Sequence, residues 1–196
     1  MYYRSWRRGL EERFDSPIPV VRPGEFHELL AQNELGPTLR SEVSFIDRVG
    51  DVPGGTSDAE AWILSVFGKQ AKCMFEFGTC TGKNTYLWVR NSAFDARVIA
   101  LTLGKDQHAN YTAAKGDDKS AIDQELAELR FDSFLYSGTP VEYKITQLFS
   151  DSKRFDETPY LRRCDLIFID GSHAYSYVKN DTEKALRMLR DGGMIF

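Results

Sequence analysis

From Cys73 onward the chain alternates short apolar runs with longer stretches in which apolar residues recur every three or four positions. The runs Cys73–Phe77, Arg97–Leu103, Val141–Phe149, Asp165–Ile169 and Gly193–Phe196 read as parallel strands. Helices are predicted between them: over Lys83–Asn91, over Lys119–Arg130 with Ile122, Leu126 and Leu129 on one side, and over Tyr175–Arg190 with Val178, Ala185, Leu186 and Leu189. Upstream, Pro53-Gly54-Gly55-Thr56-Ser57-Asp58 supplies a turn and a helix cap. Ala59, Trp62, Ile63, Val66 and Phe67 then follow at helical spacing. Alternation of this kind requires right-handed crossovers, so the fold class is α/β with a doubly wound, mostly parallel sheet.

Residues 1–55 contain Pro17, Pro19, Pro23, Pro37 and Pro53 and no long apolar period, and read as an irregular or partly helical N-terminal extension to a domain over 56–196. At the other end, the turn Asp191-Gly192-Gly193 leads into Met194-Ile195-Phe196. A core strand runs about five or six residues, so the sheet is expected to be incomplete after its fifth strand, in a C-terminally truncated chain. Such an edge favours self-association, and a homo-oligomer is one expectation.

Composition narrows the function classes. With 196 residues, 42% apolar and 28% charged, the chain suits one water-soluble domain. It has no apolar run of roughly 18 residues, and its start, Met1–Arg8, lacks the apolar core of a signal peptide, so no membrane and a cytoplasmic location are expected. A net charge of -4 without a long basic run gives no electrostatic footprint for nucleic acid. The cluster Arg4, Arg7 and Arg8 beside Tyr2, Tyr3 and Trp6 is diluted by Glu11 and Glu12 and reads as a solvated face. Cys73, Cys80 and Cys164 are too few and too scattered for a disulfide framework, and read as reduced thiols.

The segment Met74-Phe75-Glu76-Phe77-Gly78-Thr79-Cys80-Thr81-Gly82 is an apolar strand carrying an acid, then a glycine-bracketed loop opening into a helix at Lys83-Asn84-Thr85. Gly78 and Gly82 permit close approach of backbone to a ligand, and the first turn of the helix offers unpaired N–H groups to an anion. The spacing is GxxxG after an acid, which argues against a dinucleotide fingerprint. It resembles the first motif of class I S-adenosylmethionine-dependent methyltransferases, whose fold is Rossmann-like. That resemblance implies a loop around the methionine part of the cofactor, with Glu76, Gly78, Thr79, Gly82 and Asn84 as binding residues and Glu76 near its amino group.

Two further positions follow the same pattern. After the second strand the family places an acid for the ribose hydroxyls; here Thr102 stands there, with Asp106 or a backbone group as a substitute. After the third comes Phe149-Ser150-Asp151-Ser152, where the resemblance implies that Asp151 and Ser152 meet the adenine edge. A helix-capping role for Asp151 is an equal and compatible reading.

The stretch Asp165-Leu166-Ile167-Phe168-Ile169-Asp170-Gly171-Ser172-His173, then a helix and Gly192-Gly193, is similar to the later motifs of a small-molecule and sugar O-methyltransferase subgroup with D-G-x-H after strand four. The resemblance covers roughly residues 56–196. It implies Asp170 and His173 as catalytic groups facing the transferred methyl, with His173 as the base. Imidazole near pKa 6.5 suits that role. It also implies Asp170 as a cofactor contact and as a possible magnesium ligand, although the remaining ligands of that subgroup fall beyond Phe196. The competing readings are a helix-capping Asp170 and a turn-forming His173, with Tyr175 and Tyr177 as packing residues. The functional expectation is methyl transfer from S-adenosylmethionine to a hydroxyl of a small-molecule or sugar-like acceptor. The alternatives are a non-catalytic cofactor- or nucleotide-binding module, which Thr102 supports, and an NAD-dependent oxidoreductase, which the missing GxGxxG opposes.

Overall fold

The computed structural model describes residues 21–34, 36–46 and 56–196, and divides into two compact units between Ser41 and Glu42. The basic cluster at Arg4–Arg8 and the turn residues Pro53–Gly55 lie outside the described residues. The first unit contains a one-turn helix, Pro23–Phe26, begun by a proline that needs no N–H partner there. A short antiparallel ladder of Gln32–Asn33 with Gly36–Pro37 follows it.

The second unit is built on five strands. Helix α1 (Asp58–Gly68) is started by Ser57, whose hydroxyl accepts from the Glu60 N–H while the Glu60 carboxylate accepts from the Ser57 N–H at 2.7 Å. Then come β1 (Cys73–Phe77), α2 (Lys83–Asn91), β2 (Arg97–Thr102), α3 (Lys119–Glu128), β3 (Ile145–Phe149), β4 (Cys164–Ile169), α4 (Tyr175–Met188) and β5 (Leu189–Ile195). The sheet order is β3-β2-β1-β4-β5 and every pairing is parallel. This is the α/β, doubly wound, Rossmann-like arrangement that the alternating pattern predicts.

The core lies on both faces of the central strands. Phe75, Phe77, Ile99, Leu101 and Ile167 pack with Ala185 and Met188 of α4, while Trp88 of α2 is fully buried and donates from its indole N–H to the Leu64 carbonyl of α1. Each such large side chain contributes about 1.5–3 kcal/mol on burial.

Three boundaries differ from the sequence reading. Val141–Lys144 is not strand: Glu142–Lys144 forms a 3-10 turn, because the Lys144 ammonium is drawn under α2 to cap the carbonyls of Val89 and Ser92 at 2.8 and 3.0 Å. Strand β5 begins at Leu189, so α4 ends earlier than predicted. Its register on β4 passes from Cys164↔Leu189 to Leu166↔Met194 across a bulge holding Gly192 at φ 74°. Helix α3 stops at Glu128 and buries none of its residues fully; only Leu129, just past its end, is buried.

Candidate functional site

The strand order reverses between β1 and β4, which parts the loops following these two strands and opens a crevice at their carboxyl ends. The two loops still touch at one point. The Asp170 N–H donates to the Phe77 carbonyl at 2.8 Å, and a Cβ on Gly78 (φ 91°) would lie 2.2 Å from the Asp170 carbonyl oxygen. Only glycine fits there. Further along the loop, Cys80 has φ 45°, and Gly82 (φ 77°) sits where a Cβ would meet the Tyr136 ring at 2.7 Å. Thr79 is buried, with its hydroxyl 3.4 Å from the donating Gln147 amide.

Two clefts open from this crevice. The first is narrow, about 30 Å³, at the ends of β1, β2 and β3, with Gly78, Thr102, Asp151, Ser152, Tyr111 and Tyr177 in its lining. Buried Asp151 accepts from the Lys153 N–H at 3.0 Å, so it caps a turn and faces the cleft at once. Tyr111 stacks on Tyr177 at 4.5 Å and shares a 2.7 Å hydrogen bond with Ser172. Asp106, a sequence-level substitute for the ribose acid, is exposed in the 3-10 turn Lys105–Asn110 and is not in the lining. Tyr177 is buried as expected; Tyr175 is 73% exposed, which corrects its reading as a packing residue.

The second cleft, about 250 Å³, lies beside the end of β4. Its walls carry the carboxylates of Glu60, Glu125, Glu128 and Asp170 together with His173, and no lysine or arginine among the described residues. Behind it the buried Asn84 amide donates to the Thr56 hydroxyl at 2.8 Å and to the Asp170 carboxylate at 3.5 Å. His173 is exposed at the rim. Glu125 and Gly171 line both clefts and so stand where the two adjoin.

The acids here are pushed toward their neutral forms. Burial is the main cause for Asp170, raised to about 6, with His173 opposing and Glu128 and Glu60 adding. Burial likewise raises Glu125 to about 7, reinforced by Glu128, Asp181, Asp170 and Asp151. Glu76 is fully buried beneath the loop and raised well above the usual carboxylate range by desolvation, although the Thr85 hydroxyl that donates to it works the other way.

The sequence-predicted residues are thus brought together unevenly. Gly78, Thr102, Asp151 and Ser152 line the first cleft and Asp170 and His173 the second, while Glu76, Thr79, Gly82 and Asn84 lie behind the loop and hold its shape. Sequence reasoning missed Glu60, Glu125, Glu128, Tyr111 and Asp181. The two α3 glutamates lie off the apolar side marked by Ile122, Leu126 and Leu129. Among the described residues no three His, Cys, Asp or Glu side chains stand close enough to hold a metal ion.

Comparison with known proteins gives this geometry a context. Residues 75–196 match a family model described as a methyltransferase domain. No curated protein sequence matches the chain. Among solved structures it is similar to the O-methyltransferase TomG from Streptomyces achromogenes, in complex with SAM (18% identity over 78% of this chain and 65% of that one, TM-score 0.49). It is also similar to the SAH-bound methyltransferase PaMTH1 of Podospora anserina (16% identity over 71% of this chain and 52% of that one, TM-score 0.46). The chain therefore spans less than two thirds of the length of either protein.

Proposed function

We propose, from the premise that this chain belongs to the methyltransferase domain family matched by residues 75–196, that it transfers the methyl group of S-adenosylmethionine to a hydroxyl of a small-molecule or sugar-like acceptor. The observation that carries this reading is the cleft at the strand-order reversal, with Gly78 stripped of a side chain at its floor and Asp151 buried in its wall. The lining of the first cleft carries the groups a nucleoside calls on: Thr102 and Ser152 offer hydroxyls to the ribose, and Asp151 accepts from an adenine amino group. The carboxylates of the second cleft suit a ligand bearing both a sulfonium and an ammonium group. The cofactor supplies an electrophilic methyl group when bound.

His173 takes the proton from the acceptor hydroxyl, and the Asp170 carboxylate beside it stabilises the imidazolium that results. Asp170 is ionised above about pH 6, which sets the acid limb of activity. No described helix is long and apolar enough to cross a membrane, and the proposed partner is a small molecule rather than nucleic acid.

The test is calorimetric titration of S-adenosylhomocysteine into the protein and into Asp151→Ala. One-to-one binding, weakened about tenfold in the variant through loss of one polar contact, is expected. Absence of heat from a folded sample overturns the proposal.

A further inference from the structure

We infer that Glu125 is a charge-reading residue at the junction of the two clefts, facing the cofactor's sulfonium and making the site prefer S-adenosylmethionine to the demethylated product. The inference rests on the cofactor reading above and goes beyond it by assigning a role to a residue of the cover helix α3, outside the loops that carry the sequence motifs.

A methyl group passes between ligands only where their sites meet, and among the described residues Glu125 and Gly171 are the two that line both clefts. Gly171 has no side chain, so of these two only Glu125 brings a side-chain functional group. The ionisable groups facing it from the two clefts are Glu128 on its own helix, Glu60 on α1, Cys80 in the loop after β1, Tyr111 after β2, Asp151 after β3, Asp170 and His173 after β4, and Tyr177 and Asp181 on α4. No lysine or arginine pairs with Glu125 among the described residues. A partly buried carboxylate surrounded mainly by other carboxylates is disfavoured as an anion, and a cationic ligand relieves this directly. This is why its proton is held up to about pH 7 in the ligand-free chain.

The reaction changes the charge at that point. The acceptor oxygen forms the new C–O bond, the electrons of the S–CH₃ bond stay on sulfur, and the hydroxyl proton leaves to the base. Sulfur thus goes from a sulfonium to a neutral thioether. The carboxylate loses its cation in the same step, so the product is held less tightly than the substrate and is released.

Calorimetry with both ligands at pH 8 tests this in the whole chain. For Glu125→Gln, S-adenosylmethionine is expected to bind about tenfold more weakly, the loss of one charged contact. S-adenosylhomocysteine should change by less than about twofold on the same scale. Asp123→Asn, on the exposed side of α3, removes an equal charge and should leave both affinities unchanged. Equal losses for the two ligands in Glu125→Gln would make the residue a support for the helix and overturn the inference. A second readout needs no variant: the wild-type preference for substrate over product should rise between pH 6 and pH 8 as Glu125 ionises, and a flat ratio also overturns it. If wild-type protein binds neither ligand, the cofactor reading itself fails and the inference falls with it.

Discussion

The two ends of the central sheet treat the same kind of residue in opposite ways. At the amino ends of the strands, Asp165 of β4 accepts from the backbone N–H groups of Lys72 and Cys73, both at 2.7 Å, and from the Arg190 guanidinium. Burial pushes its carboxyl up, yet these donors together hold it below the usual range. Nearby, Lys72 pairs with Asp95 at 2.6 Å. At the carboxyl ends, Glu76, Glu125, Asp170 and Asp181 are all raised, chiefly by burial; among the described residues no lysine or arginine lines the second cleft beside Glu125 and Asp170, while Lys184 acts on Asp181 without bringing it down. Acids at one end tie strands together. Acids at the other meet neutral donors, as Thr85 at Glu76, Asn84 at Asp170 and Asn180 at Asp181, and burial outweighs what these supply.

The contrast is broken most severely at the carboxyl end by Gly78→Ala. The added Cβ collides with the Asp170 backbone at 2.2 Å in a left-handed conformation, so a stability loss of about 3 kcal/mol is expected by urea unfolding. A fully stable variant would show that the β1 and β4 loops are free to part. At the amino end, Asp165→Ala strands two backbone donors and the Arg190 guanidinium. It should cost about 2–3 kcal/mol while leaving S-adenosylhomocysteine binding intact. If binding fell as far as stability did, the two ends would not be separable.

How much of this division is legible in the sequence depends on what carries each feature. Strand β1 and helix α2 are read at their observed bounds because a continuous apolar run meets Gly78 and the helix opens after Gly82, so local chemistry marks both limits. The turn at Glu142–Lys144 is hidden because its cause is a lysine reaching carbonyls more than fifty positions away. The bulge in β5 is hidden for a similar reason: the run after Gly192 looks like a new strand, whereas Leu189 and Met194 both pair with β4. Thr102, Asp151, Asp170 and His173 enter through the motifs of the family resemblance, and each lines one of the two clefts. Glu125 is missed, because α3 turns a charged side toward the clefts, and periodicity looks for an apolar one.

A pH series sharpens the comparison at intermediate scale. Asp170 and Glu125 are acids whose folded values, about 6 and about 7, lie above their ordinary values of 3.8 and 4.5. Between about pH 4.5 and 7 the folded chain therefore holds more protons than the unfolded one, and stability falls as pH rises through that window. The lowered acids of the amino end, such as Asp165, titrate below its ordinary value of 3.8 and stay ionised throughout. After discounting for solvent screening, a loss of roughly 1 kcal/mol between pH 5 and pH 7.5 is expected in denaturant unfolding. Stability that rises over this range would mean that the donors to the cleft acids outweigh burial.

The smallest effect belongs to Lys72→Met at the amino end. The Lys72–Asp95 pair is short, but its side chains are 59% and 48% exposed, so water and salt screen the attraction and ordering two flexible side chains offsets the remainder. The melting temperature should not move measurably, and moderate salt should change wild type and variant alike. Asp165 differs by being only 13% exposed, with two of its donors fixed in the backbone. A large loss in Lys72→Met would mean that pairing alone separates the two ends of the sheet; no loss, beside a large one in Asp165→Ala, would place the difference in burial, which the donors to an acid either outweigh or fail to outweigh.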